Sequence, residues 1–192
     1  MPPILLASGS VYRRELLARL RLPFDYAAPE IDESPRPNES GTALASRLAQ
    51  QKAQALASRY PGHLIIGSDQ VATLDDQLIG KPGTFERARE QLRAASGRSV
   101  SFLTGLCLHN ARSGRSQVDC IPFTVHFREL DDARIERYLR AEQPYDCAGS
   151  FKCEALGISL FRRTEGDDIT SLVGLPLIRL VDMLEAEGIQ IP

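Results

Sequence analysis

Short apolar runs alternate along this chain with longer stretches in which apolar residues recur every three or four positions. Positions 4–7, ILLA, are apolar throughout and predict a short buried strand. Ser8, Gly9 and Ser10 break that run. Positions 11–20 then place Leu16, Leu17 and Leu20 at helical spacing, with Ser10 able to cap the first turn. The same reading predicts an extended piece at 22–28, a polar loop at 29–41, and a helix at 42–59 capped by Thr42. A strand at 63–68 should end at Asp69 and Gln70, and Asp75-Asp76 should turn a hairpin. Helices follow at 84–95, at 131–141 capped by Asp131, and at 175–187. Strands at 99–108 and 118–127 should pair antiparallel, and a last strand is expected at 158–161. Positions 144–157 keep no period and read as a binding loop. Strands alternating with helices define an α/β protein, and with no repeat or linker in view the 192 residues read as one domain, 1–192.

Composition narrows the partners. Lys+Arg at 23 against Asp+Glu at 25 leaves a net charge of −2, without the basic excess of a nucleic-acid binder, so an anionic ligand must be met by a local cluster. Cys107, Cys120, Cys147 and Cys153 show no CxxC spacing and read as reduced, buried thiols of a cytoplasmic protein. His63, His109 and His126 are too scattered for a metal cage. No apolar stretch approaches a membrane span, and the N-terminus lacks the basic region of a signal peptide.

Candidate chemistry begins at the first turn. A strand, a small-residue loop and a helix N-terminus collect unpaired N–H groups at one spot and favour anions, and Arg13 and Arg14 add two charges that match phosphate oxygens. Read alone, the same unit is also the commonest one in α/β proteins, with a solvated arginine pair. Glu30, Asp32 and Glu33 sit in the polar loop, where acids are usually solvated. Lys52 on its helix reads as a surface charge, and Lys81 lies between Gly80 and Pro82. Asp69, just past a buried strand, stands where α/β folds place ligand chemistry. Together, Ser8, Ser10, Arg13, Arg14, Lys52 and Lys81 with Glu33 and Asp69 suit a polyphosphate carried on a divalent metal.

The ordered series LASGSVYRRELL, IDES, QKA, GSDQV, GKP, TGL, AGSFKCEALG and LVGLP, running from Leu6 to Pro176, resembles the motifs of the Maf family. That resemblance implies a mixed, twisted sheet flanked by helices, with two lobes around a nucleotide cleft. It implies hydrolysis of a nucleoside triphosphate between its α and β phosphates. It assigns Asp69 as proton acceptor, Glu33 and Asp69 as holders of Mg²⁺ or Mn²⁺, and Lys52, Lys81 and Arg13 as stabilisers of the transferring phosphoryl group. Ser8, Ser10 and Arg14 would hold phosphates. It also implies a homodimer.

Within the family, the branch acting on dTTP and UTP tends to carry Arg, Thr and Gln where this chain has Tyr12, Gln70 and Glu154, so the chain resembles the branch acting on 7-methyl-GTP. The chemistry agrees: an aromatic face attracts the cationic 7-methylguanine ring, and a carboxylate accepts from the guanine N1–H and N2–H₂ edge. Two other expectations stand beside this one, a dTTP/UTP pyrophosphatase and a nucleotide-binding regulator of cell division without essential catalysis.

Overall fold

A computed structural model describes residues 1–191. The elements run β1 (Ile4–Leu6), α1 (Val11–Ala18), β2 (Phe24–Tyr26), α2 (Gly41–Ala55), β3 (Leu64–Leu74), β4 (Gln77–Ile79), α3 (Phe85–Ala95), β5 (Ser99–Asn110), β6 (Arg115–Phe127), α4 (Asp132–Glu142), β7 (Phe161–Glu165), α5 (Ile169–Val173) and α6 (Leu177–Ala186). The strands form one sheet in the order β2-β1-β3-β5-β6-β7, with β4 paired to β3. β1 runs parallel to both β2 and β3, while β3–β4 and β6–β7 are antiparallel, so the sheet is mixed.

The helix starts follow from capping chemistry. Ser10 accepts from the Arg13 N–H, Thr84 from Arg87 and Asp131 from Arg134, each closing the first turn of its helix. The cap of α2 is Ser40, two residues before the expected Thr42. At the β3–β4 hairpin both Asp75 and Asp76 have positive φ, 49° and 61°, the geometry a two-residue hairpin turn demands and one that Asp tolerates.

Other differences from the sequence expectation have physical causes. β3 does not stop at residue 68 but runs on to Leu74. Its polar residues resemble a strand end, yet each finds a partner on its own face of the sheet. Residues 156–160 form a 3₁₀ turn, and the last strand is β7, an edge strand whose only buried residue is Phe161. α5 is a five-residue helix with no amphipathic period of its own, set by Asp168, whose carboxylate accepts from the Thr170 N–H.

The chain divides into two compact units, residues 1–70, 104–121 and 168–192 in the first and 71–103 and 122–167 in the second. In the first unit, strand alternation sorts the core. Ile4, Leu6, Leu64, Ile66, Leu106 and Leu108 pack with Leu16 and Leu17 of α1 and Leu180, Met183 and Leu184 of α6. Their neighbours Leu5, Ala7, Ile65 and Cys107 turn to the other face and pack with Ala49, Ala53 and Leu56 at α2. Helices thus cover both faces. In the second unit Phe102, Phe127, Phe151 and Phe161 meet edge to face, with ring centroids 4.8 to 5.7 Å apart, beside α3 and α4.

Candidate active site

The alternation that builds the core also builds the site. Along Gly67-Ser68-Asp69-Gln70, the odd residues point to the α2 face and the even ones to the α5–α6 face. Gly67 has no room for a side chain, since a Cβ there would lie 2.1 Å from the Ala49 carbonyl oxygen. A Cβ on Gly105 of β5 would lie equally close, 2.1 Å, to the Ala45 carbonyl oxygen of the same helix. With Ala45, Ala49 and Ala53 all wholly buried, α2 lies almost backbone to backbone on the sheet. That close approach brings Lys52 to Asp69, two residues beyond Gly67 on the same face.

Lys52 is therefore not the surface charge its helix suggests; it is 8% exposed. Its Nζ lies 2.6 Å from Asp69 Oδ1 and 2.7 Å from Glu33 Oε1, one ammonium bracketed by two carboxylates. Glu33 comes from the 27–40 loop, and the loop is tied to α2 by Arg47. The Arg47 guanidinium donates to both Glu39 oxygens at 2.6 and 2.7 Å, to the Ser34 carbonyl at 3.0 Å and to Gln51 at 3.0 Å. This fork holds the Glu39 carboxyl down at about 2.

Arg13 is the second cation of the cluster. Its Nε donates to the Gly174 carbonyl at 2.8 Å and Nη1 approaches Ser8 Oγ at 3.5 Å. Burial lowers the guanidinium pKa, while the negative charges of Asp69 and Glu33 oppose that shift. Ser8 is buried, and its hydroxyl also accepts from the Ser10 N–H. Arg13, Lys52, Asp69, Glu33 and Ser8 thus form one cluster, two cations with two carboxylates, inside the first unit.

The remaining candidates stand apart from it. Arg14 turns to Tyr26, its guanidinium 4.2 Å from the ring centroid. Ser10 is engaged as the cap of α1, and Tyr12 is half-buried on that helix. Gln70 faces the α5 side, where its amide nitrogen donates toward Thr104 Oγ1, the Ser171 carbonyl and the Leu172 carbonyl at 2.8 to 3.1 Å. Lys81 and Glu154 belong to the second unit and both are exposed. The backbone beside Lys81 is fixed on each side, by Gln91 Nε2 to the Gly80 carbonyl and by the Gly83 N–H to the Tyr145 carbonyl. Glu154 sits on a turn closed by the Gly157 N–H onto the Lys152 carbonyl at 3.0 Å.

Arg47, Ser68, Thr104 and the two glycines are functional neighbours that sequence reasoning passed over. GSDQ and TGL were visible as motifs, but only the sheet shows that each alternates between making room for α2 and gripping the α5 turn. The four cysteines are free, and Cys107 alone is buried, against the expectation for all four. Burial of Cys107, and partial desolvation of Cys147 and Cys153 beside the Asp146 and Glu154 carboxylates, push these three thiols up to about 12, so none of the three offers a thiolate at neutral pH.

No cluster of three or more His, Cys, Asp or Glu side chains suited to a metal occurs among the described residues. Glu33 and Asp69 nevertheless lie side by side, each with one oxygen on the Lys52 ammonium. Two carboxylates completed by phosphate and water oxygens are the hard donor set that Mg²⁺ takes, so the residues fit a divalent ion that arrives with a phosphate ligand.

The family is shown by comparison: residues 3–187 match the family described as Maf-like protein, and the chain belongs to it. A protein of Pseudomonas fluorescens (strain Pf0-1) named 7-methyl-GTP pyrophosphatase is 71% identical over 192 residues, all of both chains. One of the same name from Pseudomonas aeruginosa PAO1 is 67% identical, again over the whole of both. Among solved structures, the Staphylococcus aureus Ham1 protein matches with a TM-score of 0.45 and 11% identity, over 66% of this chain and 72% of that one. No helix among the described residues is long and apolar enough to cross a membrane.

Proposed function

We propose that this chain is a nucleoside triphosphate pyrophosphatase that converts 7-methyl-GTP to 7-methyl-GMP and pyrophosphate. The observation that carries the chemistry is the bracketed ammonium: Lys52 between Asp69 and Glu33, with Arg13 within their electrostatic reach. The base preference rests on the end-to-end likeness to proteins named for 7-methyl-GTP.

Asp69 is the general base. Lys52 holds Oδ1 and so orients the carboxylate, and Oδ2 takes the proton of a water that attacks the α-phosphorus as the bond to the β-phosphate oxygen breaks. Arg13 and Lys52 meet the charge that develops on the phosphate oxygens, with Ser8, beside Arg13, helping to hold the phosphates. A divalent ion, when bound by Glu33 and Asp69, neutralises phosphate charge and aligns the substrate. Lys81 contributes a further phosphate contact. By the family resemblance, Tyr12 reads the base by stacking on the cationic ring and Glu154 is the carboxylate that accepts from the guanine edge; Gln70, whose amide is engaged at the α5 turn, takes no part in that reading. Four unpaired thiols suit a reducing cytoplasm. A homodimer is part of the same reading.

Pyrophosphate release from 7-methyl-GTP, GTP, dTTP and UTP with Mg²⁺ tests the reading directly. 7-methyl-GTP should be turned over fastest, and a faster rate on UTP or dTTP would overturn the assigned base. Asp69→Asn should lower kcat about 10²–10⁴-fold while nucleotide binding, followed by calorimetry, persists. Undiminished turnover in that variant would remove Asp69 as the base.

A further inference from the structure

The reaction requires a fixed Arg13, and the fold supplies an anchor for it that lies outside the phosphate-binding set. Arg13 does not hang from α1 as a free side chain. Its Nε is bound to the Gly174 carbonyl at 2.8 Å, and Nη1 approaches Ser8 Oγ at 3.5 Å. That carbonyl is itself held by Ser68, whose hydroxyl lies 2.8 Å from Gly174 O and 2.9 Å from Gly105 O. Ser68 is wholly buried in the middle of β3 and faces away from Asp69. A carbonyl oxygen has two lone pairs; the Gly174 oxygen accepts from Arg13 Nε and from the Ser68 hydroxyl, whose one proton it shares with the Gly105 oxygen.

The turn is built for this close approach. Gly174 ends α5 with φ at +117°, and a Cβ there would lie 3.3 Å from Arg13 Nε. Below it, Asp168 ties the starts of α5 and α6 together through the Thr170 and Ile178 N–H groups. The turn is therefore held at both ends, by Asp168 at the start of α5 and by Ser68 at Gly174.

We infer that Ser68 is a positioning residue for catalysis: through the Gly174 carbonyl it sets the guanidinium of Arg13. This rests on the reading of Arg13 as a transition-state cation. Without Ser68, the Gly174 carbonyl loses its tether to the sheet and Arg13 gains freedom along the phosphate direction. A misplacement of about 1 Å in such a group can cost about 10²-fold in rate, so Ser68→Ala should lower kcat roughly 10- to 100-fold and leave KM nearly unchanged.

A double-mutant cycle separates positioning from mere support. In an otherwise wild-type chain Ser68→Ala should show the full loss of kcat/KM on 7-methyl-GTP. In an Arg13→Ala background it should cost less than about 3-fold, because the group it positions is gone. Equal losses in both backgrounds would overturn the inference, since a general structural defect is additive. Ser68→Cys keeps the shape with a weaker donor and should fall between wild type and Ser68→Ala; it carries the same cycle if the alanine variant does not fold. If Arg13→Ala alone keeps wild-type kcat/KM, the reading of Arg13 falls, and this inference falls with it.

Discussion

Lys52 and Lys81 stand in short motifs of similar look, yet the molecule treats them differently. Lys52 is buried, with both neighbouring carboxylates in contact. Lys81 is exposed, and only its backbone is held. The first is a charge whose position is settled by folding. The second is a charge whose position is settled by whatever binds it. Preorganised charge is the more effective catalyst, because no reorientation is needed when the transition state forms, whereas an exposed charge is screened by water and salt.

The sharpest way to break this contrast is Lys52→Met. Loss of one preorganised cation should lower kcat about 10²–10³-fold. The variant also leaves Asp69 and Glu33 facing each other without their counter-charge, so its Tm should fall, and Mg²⁺ should recover part of that fall by binding the pair. An unchanged Tm would mean that the bracketed geometry contributes nothing to the fold.

Gly67→Ala tests the cause of the preorganisation rather than its parts. The new Cβ would stand 2.1 Å from the Ala49 carbonyl oxygen, so α2 must move away from β3. Overpacking of this kind costs about 1–3 kcal/mol, read as a shift in the urea midpoint, and kcat should fall because Lys52 moves with the helix. Full activity in a stable variant would separate the close approach of α2 from the chemistry.

Lys81→Ala should have a smaller effect, about 10-fold in kcat/KM, expressed mostly in KM. The difference from wild type should shrink as salt rises from 50 to 500 mM, experimental conditions chosen to span the screening range. A loss as large and salt-insensitive as that of Lys52→Met would erase the distinction between the two lysines.

The smallest effect concerns the loop that carries Glu33. Arg47 holds the Glu39 carboxyl at about 2, below its ordinary 4.5. A carboxylate whose pKa is depressed by folding stabilises the native state above its unfolded pKa, and that contribution disappears as pH falls through the folded value. The wild type should therefore lose its advantage over Glu39→Gln between about pH 4.5 and pH 2. Parallel Tm curves for the two proteins across that range would show that the Arg47 fork does not stabilise the loop.

Much of the local structure was readable beforehand. Caps at Ser10 and Asp131 and the hairpin at Asp75-Asp76 depend on neighbours within four residues, so sequence spacing reveals them. In the sequence, Asp69 and Gln70 look like a polar stop, yet β3 runs through both. They remain in the strand since Lys52 satisfies one and the α5 turn satisfies the other. α5 was passed over because five residues carry no period. Arg47 was indistinguishable from a solvated arginine until the loop closed over it.

By itself, the sequence determined the class of fold, the family and the residue types gathered for phosphate chemistry, because periodicity and motif order are properties of the chain read in line. Only the tertiary structure decided that Lys52 is buried, that Arg13 hangs on the Gly174 carbonyl, and that Gln70 and Arg14 turn elsewhere. The reason is the two-residue alternation of a strand. It sends neighbouring side chains to opposite faces, and what each one meets there is set by helices distant in sequence.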